Sequence, residues 1–400
     1  MNSIDVVTDL QFGSTGKGLL VDWLAESNDY IAACSTWGPN SGHTAIINGR
    51  PVIRTMVPLS LSNPAGPEVA FIGPGSVVNK ENLFAEILDS ARVRGGPVSV
   101  YVHENAAIIA GDDAERESAY LNKIGSTQKG TGEALLRKIR RDPDDQGSTF
   151  GRCWGVGSNF NLEGNALRVI SAVEWRGLTR MLLNRGCFLV EGAQGFSLGI
   201  NSGLYPYTTS RECTVAQILS DACLPVHLLG SVYGSARTFP IRVANRFDKD
   251  GKQVGWSGPS CPGQYELTWG DVGVKPEKTT VTGLQRRVFS FSGRQVADAI
   301  YQNGVHSLFL NFCNYFDPDP RYAAARALLC ANKLLESFAR ETSTLVSIVF
   351  GFGPARSHLV QVPVSRLHSE NAAEEVRQAL IAAHERALAE GYNSFEGVGE

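Results

Sequence analysis

No run of this sequence approaches the ~18 consecutive apolar residues of a membrane-spanning helix, so a protein anchored by such a helix is not expected. Its eight cysteines, at 34, 153, 187, 213, 223, 261, 313 and 330, form no CxxC or CxxH pair, which excludes a zinc ribbon or finger. The opening stretch MNSIDVVTD has neither a basic n-region nor an apolar h-region. A secreted product is therefore not expected; reduced cysteines and a cytoplasmic location are (the host cytoplasm, if the chain is viral). Charge is also scarce, at 19% of residues, with 37 Lys and Arg against 40 Asp and Glu for a net −3. Without a basic excess there is no electrostatic footprint for nucleic acid or an anionic membrane surface. Internal repeats and low-complexity tracts are absent, and 43% apolar residues are enough to bury a sizeable core. What is abundant is glycine: 42 in 400 residues, above the usual ~7%, gathered in short groups. Such groups make tight loops in which backbone approaches a ligand closely.

Short runs rich in Val, Ile, Leu and Phe recur at 4–10, 30–34, 69–72, 98–102, 187–190, 226–233, 307–311 and 344–350, lengths that suit strands covered on both faces. Helical stretches lie between them at 80–94, 113–122, 132–141, 166–185, 213–222, 321–340 and 371–390. This alternation predicts an α/β fold, a large, mainly parallel central sheet with helices on both faces. No linker interrupts it, so residues 1–400 are expected to form one large domain. The polar stretch 245–265 is expected to be a surface loop or lid.

Several segments carry chemistry. Gly13-Ser14-Thr15-Gly16-Lys17-Gly18 follows the first strand, where glycine amides and a lysine can surround an anion; a plain glycine turn with a surface lysine is the alternative. The spacing is two residues shorter than GxxxxGK[ST], so a simple P-loop match fails. His43, in Asn40-Ser41-Gly42-His43-Thr44, is either a donor to phosphate oxygens or a structural histidine. Gly125-Ser126-Thr127 runs through Gly130 and Gly132 into a helix bearing Arg137, Lys138, Arg140 and Arg141: either a phosphate cradle or a solvated basic face. Gln194, in Glu191-Gly192-Ala193-Gln194-Gly195, has the paired donor and acceptor that read a base edge, and Thr209 lies just beyond it. Arg286 in Val281-Thr282-Gly283-Leu284-Gln285-Arg286 can clamp a carboxylate. Asn314 and the Gly351-Phe352-Gly353-Pro354 run each follow a strand end, where open α/β sheets bind ligands.

The ordered series GSTGKG, NSGHT, IGSTQKGTG, EGAQG, YPYTTS, VTGLQRR, LNFCN and GFGP resembles the adenylosuccinate synthetase family over nearly the whole chain. The resemblance implies that family's P-loop-related fold and its reaction. A nucleoside triphosphate phosphorylates the 6-oxo group of a purine nucleotide, and aspartate then displaces the phosphate. It also implies Mg²⁺ and a homodimer. Three departures are informative. The family's GDEGKG loop carries an Asp base where this chain has Ser14, with Thr15 beside it. The lost carboxylate leaves room for a purine 2-amino group. The family's TKxD becomes Asn311-Phe312-Cys313-Asn314, and an amide at 314 suits adenine better than guanine. TTGRRRR becomes VTGLQRR, so Leu284 removes a donor beside the ribose and tolerates a 2′-deoxy acceptor. Together these resemble the phage branch of the family that acts on dGMP.

Carried over residue by residue, the resemblance implies catalytic roles for Ser14, Lys17, His43 and Gln194. The donor, ATP or dATP, would meet Gly13, Thr15, Gly16, Lys17, Gly18, Gly42, His43, Thr44, Asn314, Gly351, Gly353 and Pro354. The acceptor dGMP would meet Ser14, Asn40, Ser126, Thr127, Gln194 and Thr209, with Arg141 crossing a dimer interface. L-Aspartate would meet Val281, Thr282, Gly283 and Arg286, and Mg²⁺ would meet Ser14 and Gly42. Two alternatives remain at this stage: an ordinary adenylosuccinate synthetase using IMP and GTP, and an inactive relative that only binds purine nucleotides.

Overall fold

The structure, a computed structural model, describes residues 2–278 and 283–392. Eleven short strands build the central sheet: β1 (Ile4–Asp9), β2 (Tyr30–Ser35), β3 (Val69–Ile72), β4 (Ser99–His103), β5 (Asn159–Leu162), β6 (Asn165–Ile170), β7 (Cys187–Glu191), β8 (Leu229–Arg237), β9 (Ser307–Asn311), β10 (Ser347–Gly351) and β11 (Leu359–Pro363). Their spatial order is β11-β10-β9-β8-β1-β7-β2-β3-β4-β6-β5. Every pairing from β10 to β6 is parallel, and the edge strands β11 and β5 close the sheet antiparallel.

The alternation of side chains along each strand explains why interior strands are apolar throughout. Ile4 and Val6 of β1 enter one core and Val7 the other; Phe188 and Val190 of β7 oppose Leu189 in the same way. Helices cover both faces: α1 (Lys17–Ser27), α2 (Lys80–Arg94), α3 (Asp113–Leu121), α4 (Thr131–Arg140), α5 (Ala172–Leu183), α6 (Val215–Ala222), α7 (Gly293–Asn303), α8 (Pro320–Ser337) and α9 (Glu370–Ala389). Asn79 caps α2 by accepting from the Asn82 amide at 2.9 Å, and Ser171 with Glu174 forms a capping box on α5.

Where the expected elements differ, tertiary pairing accounts for it. The stretch 166–185 reads as one helix, but residues 165–170 form β6, with Leu167, Val169 and Ile170 buried and a parallel ladder to β4. The chain becomes helical only after the Ser171 cap. Helix α7 and edge strand β11 were not anticipated.

Six neighbouring parallel strands finish on one edge in a polar residue or glycine: β2 at Ser35, β7 at Glu191, β1 at Asp9, β8 at Arg237, β9 at Asn311 and β10 at Gly351. Ligands of open α/β sheets bind at such carboxyl ends. The motifs singled out in the sequence follow five of these strands.

Candidate active site

Asp9 organises the glycine loop that follows β1. Its carboxylate is 2% exposed. Oδ1 accepts from the amides of Gln11 (2.9 Å) and Gly13 (3.1 Å), and Oδ2 accepts from Thr15 Oγ1 (2.5 Å) and Lys17 Nζ (2.9 Å). With four donors satisfied, this carboxylate holds the loop. Lys17 Nζ donates a second bond to the Gln194 carbonyl at 3.0 Å, so the first motif is tied to the one after β7.

Gly16 caps α1 in the left-handed region at φ +92°, where a Cβ would also sit 2.0 Å from Asn311 Nδ2. That amide donates to the Thr15 carbonyl at 3.2 Å, linking the end of β9 to the loop. A Cβ on Gly18 would lie 2.3 Å from the Thr44 carbonyl, so α1 packs directly against the hairpin His43–Ile47/Arg50–Arg54. Glycine is required at both places. Ser14 is exposed and left-handed (φ +56°), its carbonyl held by Arg237 Nη1 at 3.1 Å.

His43 is buried against Trp37, with ring centroids 4.2 Å apart. Nδ1 meets Glu191 Oε2 at 3.0 Å, and Glu191, itself fully buried, also accepts from the amides of Leu59 and Ser60 and from Ser60 Oγ. Nε2 has no partner. Burial pushes the imidazole below its usual pKa, opposed by the Glu191 carboxylate. An arriving anion acts in the same direction as Glu191 and favours the imidazolium, which presents an Nε2–H. Gln194, left-handed at φ +61°, sends Nε2 to the Asn40 carbonyl at 3.4 Å, and Asn40 Oδ1 is buried without a partner. These two orphaned polar atoms, His43 Nε2 and Asn40 Oδ1, lie in one motif and mark a place for ligand atoms.

The third motif joins this ring. A Cβ on Gly38 would touch Thr131 Cγ2 at 3.0 Å, and one on Gly132 would lie 3.6 Å from Ser210 Cβ. The expected phosphate cradle needs revision, because Glu117 occupies the start of α4. Its carboxylate accepts from the amides of Gly130 (2.7 Å) and Gly132 (2.9 Å). Arg137 and Lys138 are also committed internally, to Asp113 and to the Pro74 carbonyl. Ser126 and Thr127 stay at the surface loop, while Arg141 is exposed, left-handed and ends α4. The polar stretch after β8 packs onto that loop. Trp256 exchanges backbone bonds with Lys123 and Gly125, and Arg246 Nη2 donates to the Ser126 carbonyl at 2.7 Å.

The remaining expected residues divide. Gly42 and Thr44 are exposed beside the loop, and Thr209 is held by its amide on the Leu198 carbonyl. Val281 and Thr282 lie outside the described residues; Gly283 is exposed and Arg286 half-buried. Asn314 is buried in the short turn Cys313–Phe316 after β9. A Cβ on Gly351 would sit 2.4 Å from Asn311 Oδ1, which places that glycine beside the loop. Gly353 instead packs on His358 and Ala387, and Pro354 is half-buried next to it.

This arrangement matches a known family. The adenylosuccinate synthetase sequence profile covers residues 6–146 and 165–346.

The chain belongs to the adenylosuccinate synthetase family.

Within it, the chain is 40% identical over 381 residues to the N6-succino-2-amino-2′-deoxyadenylate synthase of Acinetobacter phage SH-Ab 15497, covering 90% of this chain and 93% of that one. Among solved structures it is similar to the cyanophage S-2L succinoaminodeoxyadenylate synthetase bound to dGMP and dATP, with TM-score 0.76, 32% identity and coverage of 96% and 99%. The fully ligated adenylosuccinate synthetase from Plasmodium falciparum shares the fold, with TM-score 0.68, 18% identity and coverage of 90% and 99%.

Asp9, Arg237, Glu277 and Asn311, which brace the 13–18 loop and its surroundings, carry no assigned role in the sequence reading. The one signal in the sequence is a charged or amide residue at the carboxyl end of a strand, at Asp9, Arg237 and Asn311.

Proposed function

We propose that this chain is a ligase that joins L-aspartate to C6 of dGMP at the expense of ATP or dATP. The products are N6-succino-2-amino-2′-deoxyadenylate, the nucleoside diphosphate and phosphate. The carrying observation is the state of the loop at Ser14: a small exposed residue stands there, and the loop's own carboxylate, Asp9, is buried and accepts from four donors of the loop. A purine with a 2-amino group fits beside a serine where an aspartate would crowd it. The named activity of the phage relatives supports the same reading.

O6 of dGMP attacks the terminal phosphorus of the donor, held by the 13–18 loop and the Lys17 ammonium; the nucleoside diphosphate leaves, and the N1 proton passes to water or to a donor phosphate oxygen. His43 Nε2–H steadies charge on the transferred group, and the Gln194 amide orients the 6-oxo edge. Ser126, Thr127 and Thr209 hold the 5′-phosphate with Asn40, joined by Arg141 from a second subunit. The aspartate amine then attacks C6 and phosphate departs with the former O6, while Thr282 and Arg286 hold the amino acid. Asn314, Gly351, Gly353 and Pro354 frame the donor base. Ser14 Oγ and the Gly42 carbonyl are hard oxygen donors at the exposed loop face and would hold Mg²⁺. When bound, it neutralises phosphate charge. No helix among the described residues is long and apolar enough to cross a membrane.

An ordinary adenylosuccinate synthetase would need carboxylates at positions 14 and 314, where this chain has Ser14 and Asn314. The test is to incubate the protein with each of dGMP, GMP, IMP and dIMP, with ATP or GTP, aspartate and Mg²⁺, and to record product masses. The fastest product is expected from dGMP with ATP or dATP. Equal or better rates with IMP and GTP overturn the substrate assignment, and nucleotide binding without any turnover overturns the enzyme.

A further inference from the structure

Arg237 ends β8 fully buried, and its guanidinium contacts two separate parts of the site. Nη1 donates to the Ser14 carbonyl at 3.1 Å and to Glu277 Oε2 at 3.3 Å, while Nη2 pairs with Glu277 Oε1. The Phe312 ring covers the guanidinium at 3.9 Å, and Tyr315 Oη donates to Glu277 Oε1 at 3.1 Å. Glu277 in turn anchors the segment that carries Arg286. Its carbonyl accepts from the Arg286 amide at 2.8 Å, Lys278 bridges Gln285, and Arg286 Nε donates to the Lys278 carbonyl at 3.3 Å. Burial alone would raise the Glu277 carboxyl, but Arg237 and Arg286 hold it below its ordinary range, so it stays an anion between two guanidinium groups.

We infer that Arg237 and Glu277 are a positioning pair that fixes the Arg286-bearing segment to the phosphate loop and so sets where the amino-acid carboxylate is received relative to the nucleotide. The inference deepens the proposed reaction and rests on it. A bidentate, stacked arginine has a defined direction, and a bond from the same nitrogen to Ser14 makes the two halves of the site one rigid frame. The pair touches no substrate itself; it acts through Arg286 on one side and Ser14 on the other.

The two chemical steps can be read separately, which distinguishes positioning from a merely structural role. Phosphorylation of O6 needs no aspartate. Reversible transfer would scramble the β,γ-bridging oxygen of labelled ATP in the presence of dGMP alone. Glu277→Gln keeps the shape and removes the charge. It is expected to raise the KM for aspartate about tenfold or more, leave the KM for dGMP and ATP within about twofold, and leave oxygen scrambling near the wild-type rate. Tyr315→Phe removes one bond to Glu277 without opening a large cavity and is expected to shift the aspartate KM in the same direction by a few-fold, again without slowing scrambling. An unchanged aspartate KM in both variants overturns the pair's role. So does a parallel loss of scrambling and aspartate use. Each assay is run with dGMP and with IMP. A wild type that works only with IMP overturns the dGMP reading while the aspartate KM still reports on the pair.

Discussion

Replacing Asp9 by asparagine is expected to lower turnover by about 10²–10³-fold, the scale seen when one preorganised charge-stabilising contact is lost. The carboxylate is buried and shared by four donors, two of which, Lys17 Nζ and Thr15 Oγ1, meet the same oxygen. An asparagine oxygen can serve only one of the two donor pairs. If it keeps the Gln11 and Gly13 amides, its NH₂ faces the lysine donor against donor, and only the threonine hydroxyl can turn to accept from it. Lys17 then loses its buried counter-charge and is left with the Gln194 carbonyl, and breaking a buried pair from one side costs about 3–5 kcal/mol. Both the ammonium and the loop should leave the positions that receive the phosphoryl group. Steady-state turnover of dGMP, ATP and aspartate, with a melting curve alongside, checks this. A variant within threefold of wild type would show that Lys17 needs no help from Asp9.

Glu191→Gln is expected to reduce activity at neutral pH by about 10–10²-fold and to restore part of it on acidification. His43 is pushed toward the neutral form by burial and pulled back by Glu191. With Nδ1–H given to the carboxylate, a neutral ring offers only a lone pair at Nε2 and cannot donate to a phosphate oxygen. The working form is therefore the imidazolium, and its pKa sets the pH above which activity declines. Removing the Glu191 charge lowers that pKa further, so the decline begins at lower pH. The glutamine oxygen can serve either His43 and Leu59 or Ser60 but not both, and its NH₂ then faces a backbone N–H, so a melting curve run alongside separates lost structure from lost charge. A pH profile of kcat that does not move would mean His43 acts without a proton on Nε2.

Much of the sheet could be read in the sequence because interior parallel strands are short, apolar and followed by glycine. Lys17 of the 13–18 loop, Gln194 and Asn40, residues to which the family resemblance gave roles in one site, are in contact. Glu117 was not legible in its role: it sits thirteen residues before Gly130, and only the packing of α3 against α4 brings it to the amides that were expected to hold phosphate. Arg237 and Ser14 are 223 residues apart, and their bond exists because β8 pairs with β1 in parallel. Such contacts are set by register and strand order, which local patterning does not encode. The segment 165–170 was misread for the same reason, since its strand character depends on β4.

The central claim is that the serine at position 14 gives a 2-amino purine its space, and restoring the acid there tests it most directly. Aspartate tolerates the left-handed backbone that Ser14 adopts, so the exchange is compatible with the loop. The measurement is the ratio of kcat/KM for dGMP over dIMP in Ser14→Asp and in the wild type, with ATP and aspartate saturating. The ratio should fall by about 10²-fold or more, through both a crowded amine and a regained base. A ratio that stays at the wild-type value would contradict the account and place discrimination of the purine elsewhere in the site.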